Sequence, residues 1–322
     1  MTTVRVAIAQ VAPAFLDLEG SLARAEDAIA EAARGGARLV VFGETWLPGY
    51  PVWADRGIPW EDDVMKATHA RLVANAVEVP GPATERLGAA ARAHGVHLVV
   101  GLHERDARFS RGTLYNSLLT IDDRGEVLGV HRKLIPTHSE RVIWGMGDGS
   151  TLLVHDTALG RIGGLVCWEH WMPLARFAMH ALGEQIHVAA WPDVPEMHEV
   201  ASRAYAFEAR AFVLCAGSYL PLSSVAPDLE VASILRGLAG EDGVILPGGS
   251  GVIGPDGNWI VGPVHGEAIV TADLDLDRIA AEQQALDAAG HYHRPDVFRV
   301  RVDTTPRDPI AWGPDGDDGD GS

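Results

Sequence analysis

The chain has 322 residues, of which 47% are hydrophobic and 22% are charged, and its formal net charge is −18 at pH 7. This composition is typical of a soluble globular protein, and the negative charge argues against a nucleic-acid partner because phosphate binding needs a basic surface. No apolar run approaches the roughly 20 residues that span a bilayer, so we expect no membrane partner. The chain opens on a strand pattern rather than a signal peptide and has only two cysteines. We therefore expect a cytoplasmic protein.

The first half of the chain alternates between predicted strands and helices. Apolar runs bounded by turn residues predict strands, and apolar residues at every third or fourth position predict helices. A loop rich in Trp and Pro follows the second strand, at 45–60. In chain order, the elements are a strand at 4–10, a helix at 18–34, a strand at 38–42, helices at 61–76 and 83–94, a strand at 96–102, and a hairpin of strands at 115–121 and 126–132.

The second half contains two more hairpins. Its predicted elements are a hairpin at 151–155 and 161–166, a helix at 173–182, a strand at 186–191, a helix at 196–211, a strand at 212–218, a hairpin at 250–253 and 259–261, a strand at 268–274 and a helix at 276–286. Hairpins interrupt the alternation, which predicts mixed sheets covered by helices. We expect a single domain at 1–300 and a C-terminal tail at 301–322 whose acidic, glycine-rich end is disordered.

Three chemically complementary residues, Glu44, Lys133 and Cys167, each lie where an apolar strand gives way to a loop. Ligands bind at such strand ends in open α/β sheets, so aligned strands would bring these side chains together. A cysteine thiolate attacks electrophilic carbon, an ammonium lowers the pKa of the thiol, and a carboxylate moves protons and activates water. Each residue also has a structural interpretation, as an inert buried cysteine, a solvated or capping carboxylate and an exposed lysine.

The segments around these three residues carry a family pattern. They are FGETWLPGYP at 42–51, HRKLIPT at 131–137 and CWEHWMPL at 167–174. As a set they resemble the nitrilase superfamily of carbon–nitrogen hydrolases, and the order Cys-Trp-Glu-His at 167–170 resembles the true nitrilases. Similar context at 189–192, 206–210 and 290–296 extends the resemblance over nearly the whole chain, apart from the acidic tail.

This resemblance implies a four-layer α-β-β-α sandwich with two mixed sheets. It also implies that Glu44 is the general base, Lys133 the cation at the tetrahedral centre and Cys167 the nucleophile. Glu140 matches the family's second glutamate and is expected to orient Lys133 and the substrate, with an ion pair to Arg141 as the alternative. The implied reaction hydrolyses a small organic nitrile with two waters to the carboxylic acid and ammonia, through a thioimidate and a thioester. No cofactor and no metal are expected.

Aromatic and polar residues in the neighbouring loops are candidates for binding the substrate. An apolar nitrile would suit aromatic walls, and the backbone N–H of Trp168 is expected to help Lys133 stabilise charge on the nitrile nitrogen. The resemblance also implies that the helices from Pro173 and Glu196 build a dimer interface, in a homodimer or a larger, for example spiral, homo-oligomer. The substrate-binding candidates are Tyr50, His138, Trp168 and Trp191, while Trp53 and Trp60 suit a role in the core equally well.

Two other functions stay open. One is an amidase or carbamoylase of the same superfamily, against which the order at 167–170 argues. The other is a catalytically inactive binding scaffold, against which the retention of all four catalytic candidates argues. His170 suggests a Cys–His dyad, but Cys–His enzymes place their histidine far from the cysteine in sequence, so Lys133 and Glu44 are the favoured partners of Cys167. The sequence does not show which nitrile is the substrate, whether aliphatic, aromatic, an arylacetonitrile or cyanide. It also does not distinguish an acid from an amide product.

Overall fold

Two mixed β-sheets pack face to face in the structure, a computed structural model that describes residues 3–56, 59 and 61–310. In the first sheet the spatial order is β13-β1-β2-β3-β4-β5. The pairs β1–β2 and β2–β3 are parallel, and the other three pairs are antiparallel. These strands are β1 (Thr3–Gln10), β2 (Leu39–Val41), β3 (His97–Arg105), β4 (Leu114–Ile121), β5 (Val127–Arg132) and β13 (Ala268–Asp275).

The second sheet has seven strands, in the order β10-β11-β9-β8-β7-β6, with β12 also paired to β11. Its centre, β7–β8–β9, is parallel, and the hairpins on either side are antiparallel. The carboxyl ends of the three parallel strands therefore share one edge. The strands are β6 (His155–Thr157), β7 (Gly160–Val166), β8 (Ile186–Ala190), β9 (Phe212–Ala216), β10 (Tyr219–Pro221), β11 (Val244–Ile253) and β12 (Trp259–His265).

Helices cover the outer faces of the sheets. Helix α1 shows why the local sequence folds this way, because the Asp17 side chain caps its first turn and a stripe from Leu22 to Ala32 is buried. The α1–α3 pair packs on the first sheet, and α4 and α5 pack on the second. The predicted α-β-β-α sandwich is confirmed. The helices are α1 (Leu18–Arg34), α2 (Asp63–Ala74), α3 (Pro82–His94), α4 (Pro173–Ala181), α5 (Glu196–Ala209), α6 (Ala232–Arg236) and α7 (Asp277–Glu282).

The predicted strand at 151–155 is wrong. A 3₁₀ turn occupies Gly149–Thr151, and the strand begins only at His155. The cause is local capping, because the Asp148 carboxylate accepts the backbone N–H of Ser150 at 2.9 Å. The sequence interpretation also missed β10 and α6 and ended α7 too late.

The C-terminal segment at 301–310 has no regular secondary structure and lies exposed, with the N–H of Arg307 donating to Asp148. The acidic end that we predicted to be disordered lies outside the described residues. The boundaries of the single domain at 1–300 stay a prediction. Among the described helices, none has the length and apolar character that crossing a bilayer would require.

Gly101 of β3 lies against the turn that follows β2. A β-carbon at this position would lie 2.1 Å from the carbonyl oxygen of Gly43 and 2.6 Å from the backbone nitrogen of Thr45. The obstructing atoms belong to the backbone, so they cannot move aside as a flexible side chain would. A glycine at 101 is therefore required for the turn between Gly43 and Thr45 to lie where it does.

Gly101→Ala should lower the free energy of unfolding by about 2 kcal/mol, because the added methyl group overpacks the β2 turn. Urea denaturation measures this change. The matched control is Gly112→Ala, since a β-carbon at Gly112 has no atom within 4 Å. Equal urea midpoints for the two variants would contradict this account of the turn.

Candidate active site

The three strand ends meet, as the sequence predicts. Lys133 directly follows β5 and Cys167 directly follows β7, while Glu44 lies three residues beyond the end of β2. The backbone N–H of Glu44 donates to the carbonyl oxygen of Trp191 at 3.1 Å, and Trp191 directly follows β8. This bond joins strand ends of the two sheets. The site therefore draws Glu44 and Lys133 from the first sheet and Cys167 from the second.

The Lys133 ammonium lies buried between two carboxylates. Its Nζ donates to Glu44 Oε1 at 2.8 Å and to Glu140 Oε2 at 2.7 Å. Burial alone would lower the pKa of Lys133, but the nearby negative groups outweigh burial and raise it well above its usual value. Lys133 is therefore a permanent cation at this site.

Glu44 can exist in both protonation states near neutral pH. Its Oε1 accepts hydrogen bonds from Lys133 and, at 2.6 Å, from Asn116 Nδ2, while its Oε2 is buried away from these donors. Burial raises the pKa of Glu44, Lys133 lowers it and Glu140 raises it, with a net value of about 7. A carboxyl group with that pKa can take up and return a proton during a reaction.

Cys167 is a buried thiol on a strained turn. Its φ of +53° lies in the left-handed region, which is costly for any residue but glycine and typical of functional sites. Burial and the Glu44 carboxylate raise the pKa of the Cys167 thiol well above its usual value, although Lys133 opposes them. The sequence predicts that Lys133 lowers the pKa of the thiol. Lys133 has this effect, but burial and Glu44 outweigh it. The resting sulfur is therefore a neutral thiol, and any reaction at this sulfur requires the loss of its proton.

Glu140 belongs to a 3₁₀ turn at His138–Val142. Its Oε2 accepts the N–H of Thr137 at 2.6 Å as well as the Lys133 ammonium, and its Oε1 accepts the Tyr50 hydroxyl at 2.7 Å. Burial and the surrounding carboxylates raise the pKa of Tyr50 well above its usual value, so this hydroxyl stays a donor. The alternative ion pair with Arg141 is not formed, since the Arg141 guanidinium donates to the Pro136 carbonyl.

The Glu169 carboxylate ties the lysine segment to the cysteine segment. It accepts the backbone N–H of Leu134 at 2.8 Å and that of Val166 at 2.7 Å, and it lies 3.0 Å from Nε2 of His131. Burial opposes a charge on His131, but Glu169 outweighs burial and raises the pKa of that histidine. In the sequence, Glu169 stands out only as part of the Cys-Trp-Glu-His pattern at 167–170, which does not predict this role.

Two more residues of the site escaped sequence analysis. Asn116, which bonds to Glu44, lies in the middle of β4, where a single polar residue gives no signal of function. The ring of Trp144 lies 6.0 Å from Lys133 Nζ, and its Nε1 donates to His103. The hydrogen bond of Asn116 with Glu44 and that of Trp144 with His103 each join distant parts of the chain, so the local sequence does not predict them.

The structure separates the four substrate-binding candidates. Tyr50 contacts the site through Glu140. Trp191 is fully buried, and its ring stacks on His198 at 4.1 Å, while Trp168 is 52% exposed. The His138 side chain is 88% exposed. For all four, a contact with substrate stays a prediction.

Of the two tryptophans that suit a core role equally well, Trp53 is buried and packs edge-on against Phe15, with ring centroids 5.8 Å apart. This placement favours the core interpretation of Trp53. Trp60 lies outside the described residues.

Glu44, Glu140 and Cys167 each offer one metal-ligand atom, and these atoms lie within 4.8 Å of one another. The Lys133 ammonium already bonds to both carboxylates and supplies the positive charge that they require. The geometry is therefore that of a lysine-centred site. The absence of a metal or organic cofactor in the reaction stays a prediction.

Comparison with known proteins agrees with this geometry. The chain is similar to Nitrilase 2 from an unknown prokaryotic organism, with 43% identity over 96% of this chain and 95% of that protein. It is 38% identical to a bifunctional nitrilase/nitrile hydratase of Nicotiana tabacum, over 96% and 89% of the two chains. The solved carbon–nitrogen hydrolase from Helicobacter pylori G27 shares the fold, with a TM-score of 0.68 and 20% identity over 91% of this chain and 96% of that chain. Residues 5–284 match the carbon–nitrogen hydrolase family, to which the chain therefore belongs.

Proposed function

We propose that this chain is a nitrilase that hydrolyses organic nitriles to carboxylic acids and ammonia. The observation that carries the proposal is the buried group of Glu44, Lys133, Glu140 and Cys167. The similarity to proteins named nitrilase, which extends over 96% of the chain, supports the nitrile as the substrate. The same similarity favours a nitrilase over an amidase or carbamoylase of the family.

In the first half of the reaction, Glu44 takes the thiol proton as the Cys167 sulfur bonds to the nitrile carbon. The carbon–nitrogen triple bond becomes a double bond, and Glu44 passes the thiol proton on to the nitrogen, which gives a neutral thioimidate. Lys133 and the backbone N–H of Trp168 stabilise the negative charge that develops on the nitrogen. Because its pKa is held so high, Lys133 acts as a fixed charge and keeps its protons.

In the second half, Glu44 takes a proton from a water that adds to the thioimidate carbon. Glu44 passes that proton to the nitrogen, and the new hydroxyl group supplies a second proton as the carbon–nitrogen bond breaks, so that ammonia leaves and a thioester remains. A second water attacks the thioester, the carbon–sulfur bond breaks, and the acid and the free thiol are released. Breaking the carbon–sulfur bond one step earlier would release an amide, and about 1.4 kcal/mol between the two barriers sets a tenfold preference.

The α4 and α5 helices support a homodimer or a larger homo-oligomer. Large apolar side chains are exposed on both helices, among them Leu174 (67%), Met197 (58%) and Phe207 (47%). Exposed apolar surface on paired helices is typical of a protein–protein interface. We also propose a cytoplasmic location, which suits the two free, buried thiols.

Cys167→Ala should reduce ammonia release from nitriles by at least about 10³-fold, because the nucleophile is lost. The assay is a panel of aliphatic, aromatic and arylacetonitrile substrates and cyanide, with acid and amide products separated by chromatography. The matched control is Cys215→Ala, which removes the second buried thiol, whose sulfur donates to the Ser202 hydroxyl. Normal turnover by the Cys167 variant would disprove the proposed nucleophile.

Asn116→Leu should shift the acidic limb of the kcat/KM profile to higher pH, by about one unit. The hydrogen bond from Asn116 favours the charged form of Glu44, so its loss raises the Glu44 pKa above about 7. Activity requires the unprotonated base, so it rises with pH through that pKa. The control is Asn258→Leu in the remote β11–β12 turn, and an unmoved limb in the Asn116 variant would argue against Glu44 as the base.

Leu174→Glu should split the oligomer, because it places a charge in the proposed α4–α5 interface. Sedimentation velocity measures the mass of the particle, with circular dichroism as the check on folding. The control is Val297→Glu, which changes an apolar side chain outside α4 and α5 that is 56% exposed. This variant should leave the mass unchanged. An unchanged mass in the Leu174 variant would place the interface elsewhere.

A further inference from the structure

A hydrogen-bonded network of buried titratable groups begins at the backbone of Cys167, and the proposed reaction does not use it. His170 Nδ1 lies 2.7 Å from the Cys167 carbonyl oxygen, and His170 Nε2 lies 2.9 Å from His187 Nε2. His187 Nδ1 lies 2.8 Å from Glu184 Oε2, and the Tyr205 hydroxyl donates to the other oxygen of Glu184. All five residues are buried.

The hydrogen-bond geometry fixes how many protons the side chains of His170, His187 and Glu184 share. A carbonyl only accepts, so His170 Nδ1 must carry a proton, and His170 Nε2 is then the acceptor of a proton on His187 Nε2. The bond between His187 and Glu184 needs a third proton. Two neutral imidazoles supply only two, so the third must come from a protonated Glu184 or, equivalently, from a charged His187.

The surroundings put the third proton on Glu184. Burial lowers the pKa of His170 to about 3 and that of His187 well below its usual value, so both rings are neutral. Burial raises the pKa of Glu184 to about 7, although Tyr205 and His180 oppose this shift. Below that pH the carboxyl group carries its proton and donates to His187.

Ionisable groups from several elements face Glu184 and its partners. Glu184 is among the residues that line a groove of about 270 Å³, although its side chain is fully buried. On β7, a β-carbon at Gly163 would lie 2.3 Å from Glu184 Oε2, so glycine is what leaves room for the carboxyl group. The ionisable groups are Arg161 of β7, Arg176 and His180 of α4, His187 of β8, Tyr205 and Glu208 of α5, Asp287 after α7, and the His131–Glu169 pair, which acts on His187 through its charge.

Loss of the Glu184 proton would disrupt the hydrogen bond at the other end of the network, between His170 and the Cys167 carbonyl. His187 would then turn its single proton toward the carboxylate, which leaves Nε2 bare. His170 would have to donate from its own Nε2, so that its Nδ1 lone pair would face the Cys167 carbonyl oxygen. The turn that holds Cys167 at a φ of +53° would lose a hydrogen bond and gain a repulsion.

We propose that Glu184, His187 and His170 form a positioning network that holds the Cys167 turn in its reactive geometry only while Glu184 is protonated. The proposal rests on the proposed function, because it takes Cys167 as the nucleophile. It adds a falling limb to the pH profile, since activity decreases as Glu184 loses its proton. The groups that contact the substrate are not involved.

Glu184→Gln tests the network directly. The glutamine amide can donate to His187 and accept from Tyr205 at every pH, so it fixes the state of the protonated acid. In the unsubstituted protein, kcat/KM should be highest near pH 7 and fall about eightfold by about pH 8.5, because Glu44 and Glu184 both have a pKa of about 7. In the variant this fall should vanish and the acidic limb should stay in place. An unchanged alkaline limb would overturn the proposal.

Tyr205→Phe gives a directional second test. The tyrosine hydroxyl stabilises the Glu184 carboxylate, so its removal should raise the Glu184 pKa and move the alkaline limb to higher pH. Structural damage alone would lower activity at all pH values and leave the limb where it is, which would contradict the proposal. Asp287→Asn, a carboxylate-to-amide change in the same groove, should keep the unsubstituted profile.

A measurement on the protein labelled with ¹⁵N-histidine separates this proposal from the proposed function. At about pH 6, His170 should carry its proton on Nδ1 and His187 on Nε2, and both assignments should change as Glu184 titrates. The reverse tautomer of His170 would overturn the network whether or not nitriles are hydrolysed. An inactive protein with the expected tautomers would overturn the nitrilase assignment and leave the network standing.

Discussion

The buried Lys133 ammonium is the constraint on which the rest of the site depends. A cation removed from water needs negative partners at hydrogen-bond distance, and Lys133 has two, Glu44 and Glu140. Burial, assisted by the negative charge of Glu140, outweighs the effect of Lys133, which is why Glu44 keeps a proton up to about pH 7. In the proposed reaction, the same arrangement supplies both the fixed positive charge of Lys133 for the developing anion and a base, Glu44, that can change its charge.

The two sheets must also be held in register, because the proposed nucleophile Cys167 and Lys133 come from different sheets. Glu169 does this with one carboxylate, which accepts the N–H groups of Leu134 and Val166. The bond from the Glu44 N–H to the Trp191 carbonyl provides a second connection. A shift between the sheets would break both, so packing of the fold and alignment of the site depend on the same contacts.

The sequence predicted most of the architecture, because its signals are local. Apolar runs ended by glycine, proline or charged residues located the strand ends that carry Glu44, Lys133 and Cys167. The predicted strand at 151–155 failed where the Asp148 side chain capped a 3₁₀ turn, which competes locally with strand formation. The roles of Asn116, Glu169 and Glu184 could not be predicted, because each depends on a partner at least 35 residues away or on the total number of protons in a buried network.

Buried groups constrain Cys167 at both its side chain and its main chain. At its side chain, burial and Glu44 keep the sulfur protonated until substrate arrives, which protects a reactive group from premature chemistry. At its main chain, the His170 ring bonds to the carbonyl of a residue that would otherwise relax from its left-handed conformation. The proposed reaction and network require Glu44 to be unprotonated and Glu184 to be protonated, yet burial raises the pKa of each to about 7. The active state is therefore one in which two buried carboxyl groups of similar pKa hold opposite charge states, a condition met by only part of the molecules at any pH.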